Sequence, residues 1–425
     1  MFIFDFFTIL LSTIFFIYSI RNKRISGGRY IVYLLFFTFY VLPIFLDVFY
    51  EMPKYGVTHF GFLVSSNNIT TRIIYDAVVV FIQLILIIWK NNQNRNSKMR
   101  LFYITKRQYI VITIGMILPI IAFLAFGLNK SLLFTPLWRE LQFYGIETNY
   151  DYVERLSYLG IACCCILLLR KDFPLLSYYR LFPAAFLYMN ICVQGKRAVL
   201  FFSIIVIILI IFFLLNREVG AIKNKIRYYV MVSVVAVVLI VYMITFALNV
   251  KINNRGYDEK DTATLFTTTR IDFLRDDRVR LAIFSEFNED EWPMLNYYGE
   301  TIIYDVMSIP PIDIVFNYLK IDRYSYQQFL TSCLMHSPFS PDNNYMTPTI
   351  FAELISNFGV LFGVLLMAWG CLFFGNQIDK YPYPFNILII CSFVLLNLFA
   401  VRYVVFFIEF TIVACYLYKH NIVRK

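Results

Sequence analysis

Apolar runs of about twenty residues recur along almost the whole chain, and this constrains the fold more than any other feature. A run of that length matches the hydrocarbon thickness of a bilayer when it is helical. A water-soluble core cannot absorb so many of them. Composition agrees: 60% of the 425 residues are hydrophobic and only 16% are charged, against roughly a quarter charged in soluble domains. The expected fold class is therefore an all-α polytopic membrane protein. The N-terminal run carries Asp5 and has no basic leader or small-residue cleavage site, so it reads as a retained first helix.

Eleven spans are expected, at 2–20, 31–49, 73–89, 109–128, 156–169, 181–193, 199–215, 229–250, 349–374, 385–400 and 403–418. Three regions follow: an N-terminal bundle of about eight helices (1–250), a large loop (251–348), and about three C-terminal helices (349–425). Charge fixes the direction. Arg21, Lys23, Arg24 and Arg29, the basic stretch 90–107, Arg170, Lys171 and Arg180, the stretch 217–227, Lys380 and the C-terminal Lys419, Arg424 and Lys425 all fall on one side. That side collects 21 of the 38 basic residues and only three acids, Asp172, Glu218 and Asp379. Cytoplasmic loops are enriched in Lys and Arg, so the C-terminus is expected inside and the N-terminus outside. The net charge of +10 is then a topological signal, and nucleic acid is not an expected partner.

The loop from Lys251 to Pro348 carries nine basic and fifteen acidic residues, a net −6. Helices are expected at 265–287, 299–308 and 312–319, with breaks at Pro293, Pro310 and Pro311. Loops this long are usually functional. Of the eight cysteines only Cys333 lies in a long polar segment, so neither a disulfide framework nor a CxxC metal site is indicated. No phosphate-binding loop, dinucleotide fingerprint, serine-nucleophile motif or HExxH is present, and no metal or other cofactor is expected.

Charges at membrane depth are costly and need a reason. Lys196 and Arg197 form an outer turn after Gly195, either as a snorkelling pair or as a phosphate clamp. Arg402 lies in a two-residue outer link, with Glu409 two turns below; it is either an ion pair or the mouth of a cavity. Arg270, Arg275, Arg278 and Arg280 fall on the expected loop helix. Helical spacing puts Arg278 in the middle of an apolar face, Arg275 at its edge and Arg280 toward solvent. Their acidic neighbours Asp272, Asp276 and Asp277 offer a purely structural alternative. His336 is structural, or it orients a diphosphate or acts as a general base near neutral pH. Glu353, with Asn357 one turn on, is a base or a bundle hydrogen bonder. Gly359 and Gly363 have the spacing of a helix-packing motif. Asp47 and Glu51 make a weak acidic pair of the kind that metal-using lipid-linked glycosyltransferases carry. Asn68-Ile69-Thr70 matches a glycosylation sequon, a triplet that also arises by chance.

Three stretches resemble the O-antigen polymerase family, the Wzy-type oligosaccharide repeat-unit polymerases: 193–200 (VQGKRAVL), 296–311 (beginning NYYGET and ending SIPP) and 349–359 (TIFAELISNFG). The resemblance implies a metal-independent membrane glycosyltransferase of the bacterial inner membrane, with its large loop periplasmic. Its substrates would be undecaprenyl-diphosphate-linked oligosaccharides. Its partners would be membrane lipids and a chain-length regulator protein. On this reading Arg197, Arg278 and Arg402 stabilise the diphosphate, Lys196, Arg270 and Arg275 assist, and Glu353 or His336 is the base. An O-antigen ligase and a lipid-linked oligosaccharide flippase or transporter are the alternatives.

Overall fold

The computed structural model describes residues 2–22, 27–49, 60–89, 105–126, 133–134, 151–168, 178–194, 274–288, 298–307, 312–321, 324–334, 347–381 and 385–398. Among the described residues there is no strand. Gly27–Val48, Ile69–Ile88, Lys106–Phe126 and Ile350–Lys380 are long and apolar enough to cross a membrane, and four shorter apolar helices accompany them. Eight of the eleven expected spans coincide with these helices. The spans expected at 199–215, 229–250 and 403–418 lie outside the described residues.

Helix α1 (Phe2–Asn22) shows why these helices suit lipid. Its polar residues Asp5, Thr8 and Ser12 are buried, while Ile3, Phe4, Phe6, Phe7, Leu10, Ile14 and Ile17 are exposed. A soluble helix has the reverse polarity. The buried residues recur at i, i+3 and i+7, so they form one stripe. They meet Arg72, Asp76 and Gln83 on α5 (Ile69–Ile88): Asp5 pairs with Arg72, Thr8 donates to Asp76 at 3.1 Å, and Ser12 donates to Gln83 at 2.7 Å. Both series ascend, so α1 and α5 run parallel. Interhelical hydrogen bonds in membranes average only about 0.6 kcal/mol. The seam therefore sets register more than it adds stability.

The apolar helix after α1 is one rod in three parts: α2 (Gly27–Phe36), a π-turn (Phe37–Val41) and α3 (Leu42–Phe49). Pro43 explains the π-turn, because proline lacks an N–H and its ring clashes with the carbonyl four residues back. Widening the preceding turn relieves both problems. α2 crosses α13 (Ile350–Lys380) at a glycine contact. A Cβ on Gly28 would lie 2.4 Å from the Gly375 carbonyl oxygen. At this end the Gly28 N–H donates to Asp379 at 2.8 Å, and Arg29 holds Asn376 and the Trp89 carbonyl.

α13 is not one straight helix. Gly359 has φ 77° and ψ 167°, outside helical space, and splits it into 350–358 and 360–380. Beyond the break the chain folds back. A Cβ on Gly363 would lie 2.7 Å from the Ile355 Cα, although residues eight apart in a straight helix are about 12 Å apart. The glycine pair expected to pack two helices together instead closes this bend within one chain. Glu286 accepts the Val360 N–H at the start of the second half.

The residues fall into two compact units. The first comprises 1–97, 262–381 and 392–405. It holds α1–α5, including the short α4 (Phe60–Asn67), together with the loop helices and α13. The second comprises 98–261, 382–391 and 406–425. Its described core is α6 (Lys106–Phe126), α7 (Asp151–Leu168) and α8 (Tyr178–Gln194). Small residues let these three approach closely: Gly115 lies against Cys163 and Gly160 against Asn190. Asn190 donates to the Met116 and Phe186 carbonyls at 3.1 and 2.8 Å. α14 (Phe385–Leu398) is divided between the units.

Candidate functional site

The loop helix predicted at 265–287 is described only from 274. There, α9 runs over Asp276–Glu286 and Arg275 is its N-cap, with φ −123° and ψ 8°. Asp276 and Asp277 in the first turn suit the positive end of the helix dipole. At the other end Asn288 donates back to the Phe284 carbonyl at 2.8 Å. Every residue from Arg275 to Ser285 is buried, two aspartates and three arginines among them. α9 sits between α4, α5 and α13. It therefore has no solvent face, and the expectation that Arg280 points to water is overturned. Helical spacing predicts faces correctly only when one face is wet.

Each arginine has its own setting. Arg280 donates to Asp47 at 2.8 Å, lies 3.4 Å from Asp276, and stacks 4.8 Å from the Tyr75 ring centroid. Arg278 donates Nε–H to the Thr347 carbonyl at 3.2 Å and lies 5.3 Å from the Phe62 ring centroid. Arg275 donates to the Leu398 carbonyl at 3.1 Å. Desolvated cation–ring contacts are worth about 2 kcal/mol, which helps hold such groups out of water. Asp47, read as half of a metal-type acidic pair, serves as the counter-ion of Arg280. Its expected companion Glu51 lies outside the described residues.

The depth of α9 follows from helix rise. Arg29 holds the Trp89 carbonyl. Tyr75 is fourteen residues up α5 from Trp89, about 21 Å at 1.5 Å per residue. Arg280 stacks on Tyr75, so it lies about that far along the bundle from the Arg29 end. The three cations are buried inside the bundle.

The segment after the loop enters beside them. Tyr40 links three elements: its hydroxyl donates to Asn397 at 2.6 Å, lies 2.7 Å from the Thr349 hydroxyl, and its carbonyl accepts from Tyr75 at 2.7 Å. One turn into α13, Glu353 is fully buried. Its Oε1 accepts from Thr301 on α10 (Glu300–Met307) at 3.0 Å. Asn357 donates to that Thr301 hydroxyl and to the Glu353 carbonyl, both at 2.8 Å. Glu353 Oε2 has no hydrogen-bond partner among the described residues. The Asp305 carboxyl, one turn on from Thr301, lies within electrostatic reach of it.

Of the predicted site residues, the structure brings Arg275, Arg278 and Glu353 to the same end of the first unit. Lys196, Arg197, Arg270, His336 and Arg402 lie outside the described residues. Sequence reasoning missed the Tyr40–Asn397–Thr349 link, the Thr301–Asp305 pair and the short helices α4 and α12 (Tyr326–Leu334). A readable signal existed for the first, since Tyr40 and Asn397 are polar groups inside apolar runs. Eight residues are too few for periodicity to reveal α4.

Polar groups buried between helices and apolar side chains turned outward define an α-helical, membrane-embedded protein. Comparison with protein-family models, curated proteins and solved structures gave no match.

Proposed function

We propose that the chain is a polytopic inner-membrane glycosyltransferase of about eleven spans. It would polymerise undecaprenyl-diphosphate-linked oligosaccharide repeat units at the periplasmic face. One observation carries the proposal: a cation-rich helix is buried in the bundle beside the segment that delivers Glu353, at the end remote from Arg29. The loop-charge asymmetry makes the Arg29 end cytoplasmic, so α9 belongs to the outer half. The three stretches that resemble the Wzy-type polymerases supply the reaction class.

In this reaction the bond from the sugar anomeric carbon to the lipid diphosphate breaks, and the diphosphate leaves with the electron pair. A new bond forms from that carbon to an acceptor hydroxyl oxygen on the incoming unit. The hydroxyl proton goes to a base. Charge grows on the diphosphate as its bond breaks, and cations already desolvated in place stabilise that charge most effectively. Arg278 takes this role, joined by Arg197 and Arg402, with Lys196, Arg270 and Arg275 assisting. Arg280 is neutralised by Asp47 and is a positioning residue. Glu353 or His336 accepts the proton. Thr301 holds Oε1 of Glu353.

The break at Gly359 favours a second reading, a transporter of the lipid-linked unit, because transporters place broken helices at their binding sites. A ligase would share the polymerase chemistry and differ in its acceptor. Gel analysis of surface glycan separates the polymerase from the other two. With Arg197→Ala, the polymerase reading predicts loss of long chains while single repeat units still reach the surface. Loss of all attached glycan indicates a ligase or a transporter, and an unchanged ladder refutes the assignment.

A further inference from the structure

Helix α10 has its polarity reversed, as α1 does, and α11 (Ile312–Tyr318) exposes a stripe of apolar residues beside it in sequence. On α10, Thr301 and Asp305 are 0% and 1% exposed, whereas Ile303 and Val306 are 50% and 40% exposed. On α11 and just beyond, Ile312, Val315 and Leu319 recur at i, i+3 and i+7, and all are exposed. A loop bathed in water would turn these faces round. We infer that α10 and α11 lie in the outer membrane interface, with this apolar face against lipid rather than water.

Two further observations support a lipid occupant. Tyr298 and Tyr318, at the N-terminal edge of α10 and the C-terminal end of α11, are 84% and 87% exposed, and tyrosine favours the headgroup level. The exposed face is also continuous with a lipid-suited one. Gly299, next to α10, packs on the Phe358 ring. Leu361 and Phe362, directly beyond on α13, are 69% and 63% exposed. Helices of this kind bind in the plane of the interface.

The test is the accessibility of nitroxides placed at Ile303→Cys, Val315→Cys and Asn317→Cys in the full-length protein. The protein is reconstituted in phosphatidylethanolamine–phosphatidylglycerol vesicles, and the unsubstituted protein serves as blank. All three positions are exposed, so the substitutions leave packing intact. Asn317 is turned well away from the 312–315–319 stripe. Collision with oxygen, which concentrates in lipid, is expected to exceed collision with a water-soluble nickel chelate several-fold more at 303 and 315 than at 317. Equal nickel access at all three sites would overturn the inference in favour of an aqueous loop. Immobile labels that neither reagent reaches would overturn it in favour of a protein contact.

Discussion

Removing the Asp47 carboxylate tests whether α9 is held in the bundle by buried charge. In Asp47→Ala, Arg280 keeps Asp276 at 3.4 Å and the Tyr75 ring but loses its 2.8 Å partner. Breaking one side of a buried pair costs about 3–5 kcal/mol. The remaining carboxylate and ring place this case near the lower end. At 1.4 kcal/mol per tenfold, local opening of α9 should rise roughly a hundredfold. Hydrogen exchange of peptides covering 276–286, measured in lipid nanodiscs, reads that change directly. Replacing both partners by apolar residues, Asp47→Leu with Arg280→Met, should restore most of the protection, because no charge is then left uncompensated. Exchange within about threefold of the parent in Asp47→Ala would refute the reasoning.

Other outcomes follow from single positions. Gly359→Ala puts a side chain at φ 77°, with its Cβ 3.3 Å from Glu286 Oε1; about 1–3 kcal/mol of strain should lower the thermal midpoint in detergent. Gly28→Val drives a branched side chain into the Gly375 carbonyl, 2.4 Å from the Cβ position, and should reduce the yield of folded protein more than Gly370→Val, where a Cβ meets nothing within 4 Å. Cys333 is half-buried, and desolvation by its surroundings pushes the thiol up to about 12 from an ordinary 9. Because the thiolate is the reactive form, alkylation of Cys333 should be very slow at pH 8 and climb about tenfold per pH unit. Rapid modification at pH 8, seen by mass spectrometry, would contradict that burial.

Much of the bundle was legible in the sequence because lipid imposes a simple rule. Any run long and apolar enough must cross, and its backbone can then only be helical. The limits of α1, α5, α6 and α14 fall close to those predicted for this reason. The same rule blurred the loop. Reading 251–348 as an aqueous excursion assigns α9 a wet face and a dry one, yet α9 is dry all round. Its partners, Asp47 and Tyr75 from early helices and Thr347 and Leu398 from late ones, are separated by hundreds of residues, and no local pattern announces them. The bend at Gly359 was hidden for a similar reason: a Gly-x-x-x-Gly spacing fits both a helix crossing and a fold-back, and only the positive φ tells them apart. Arg278 and Glu353 stood out because a charge in an apolar stretch is conspicuous. Thr301 and Asp305, in an ordinary polar loop, were not.

Reconstitution of the purified chain with a single undecaprenyl-diphosphate-linked oligosaccharide, followed by gel separation of the products, tests the central claim most directly. The account predicts a ladder of polymers formed without nucleotide sugar. With Arg278→Ala it predicts a ladder reduced at least a hundredfold in rate, partly rescued by Arg278→Lys, while hydrogen exchange shows α9 still in place. No product longer than one repeat from the folded, lipid-embedded protein, or an undiminished ladder from the Arg278→Ala variant, would contradict it.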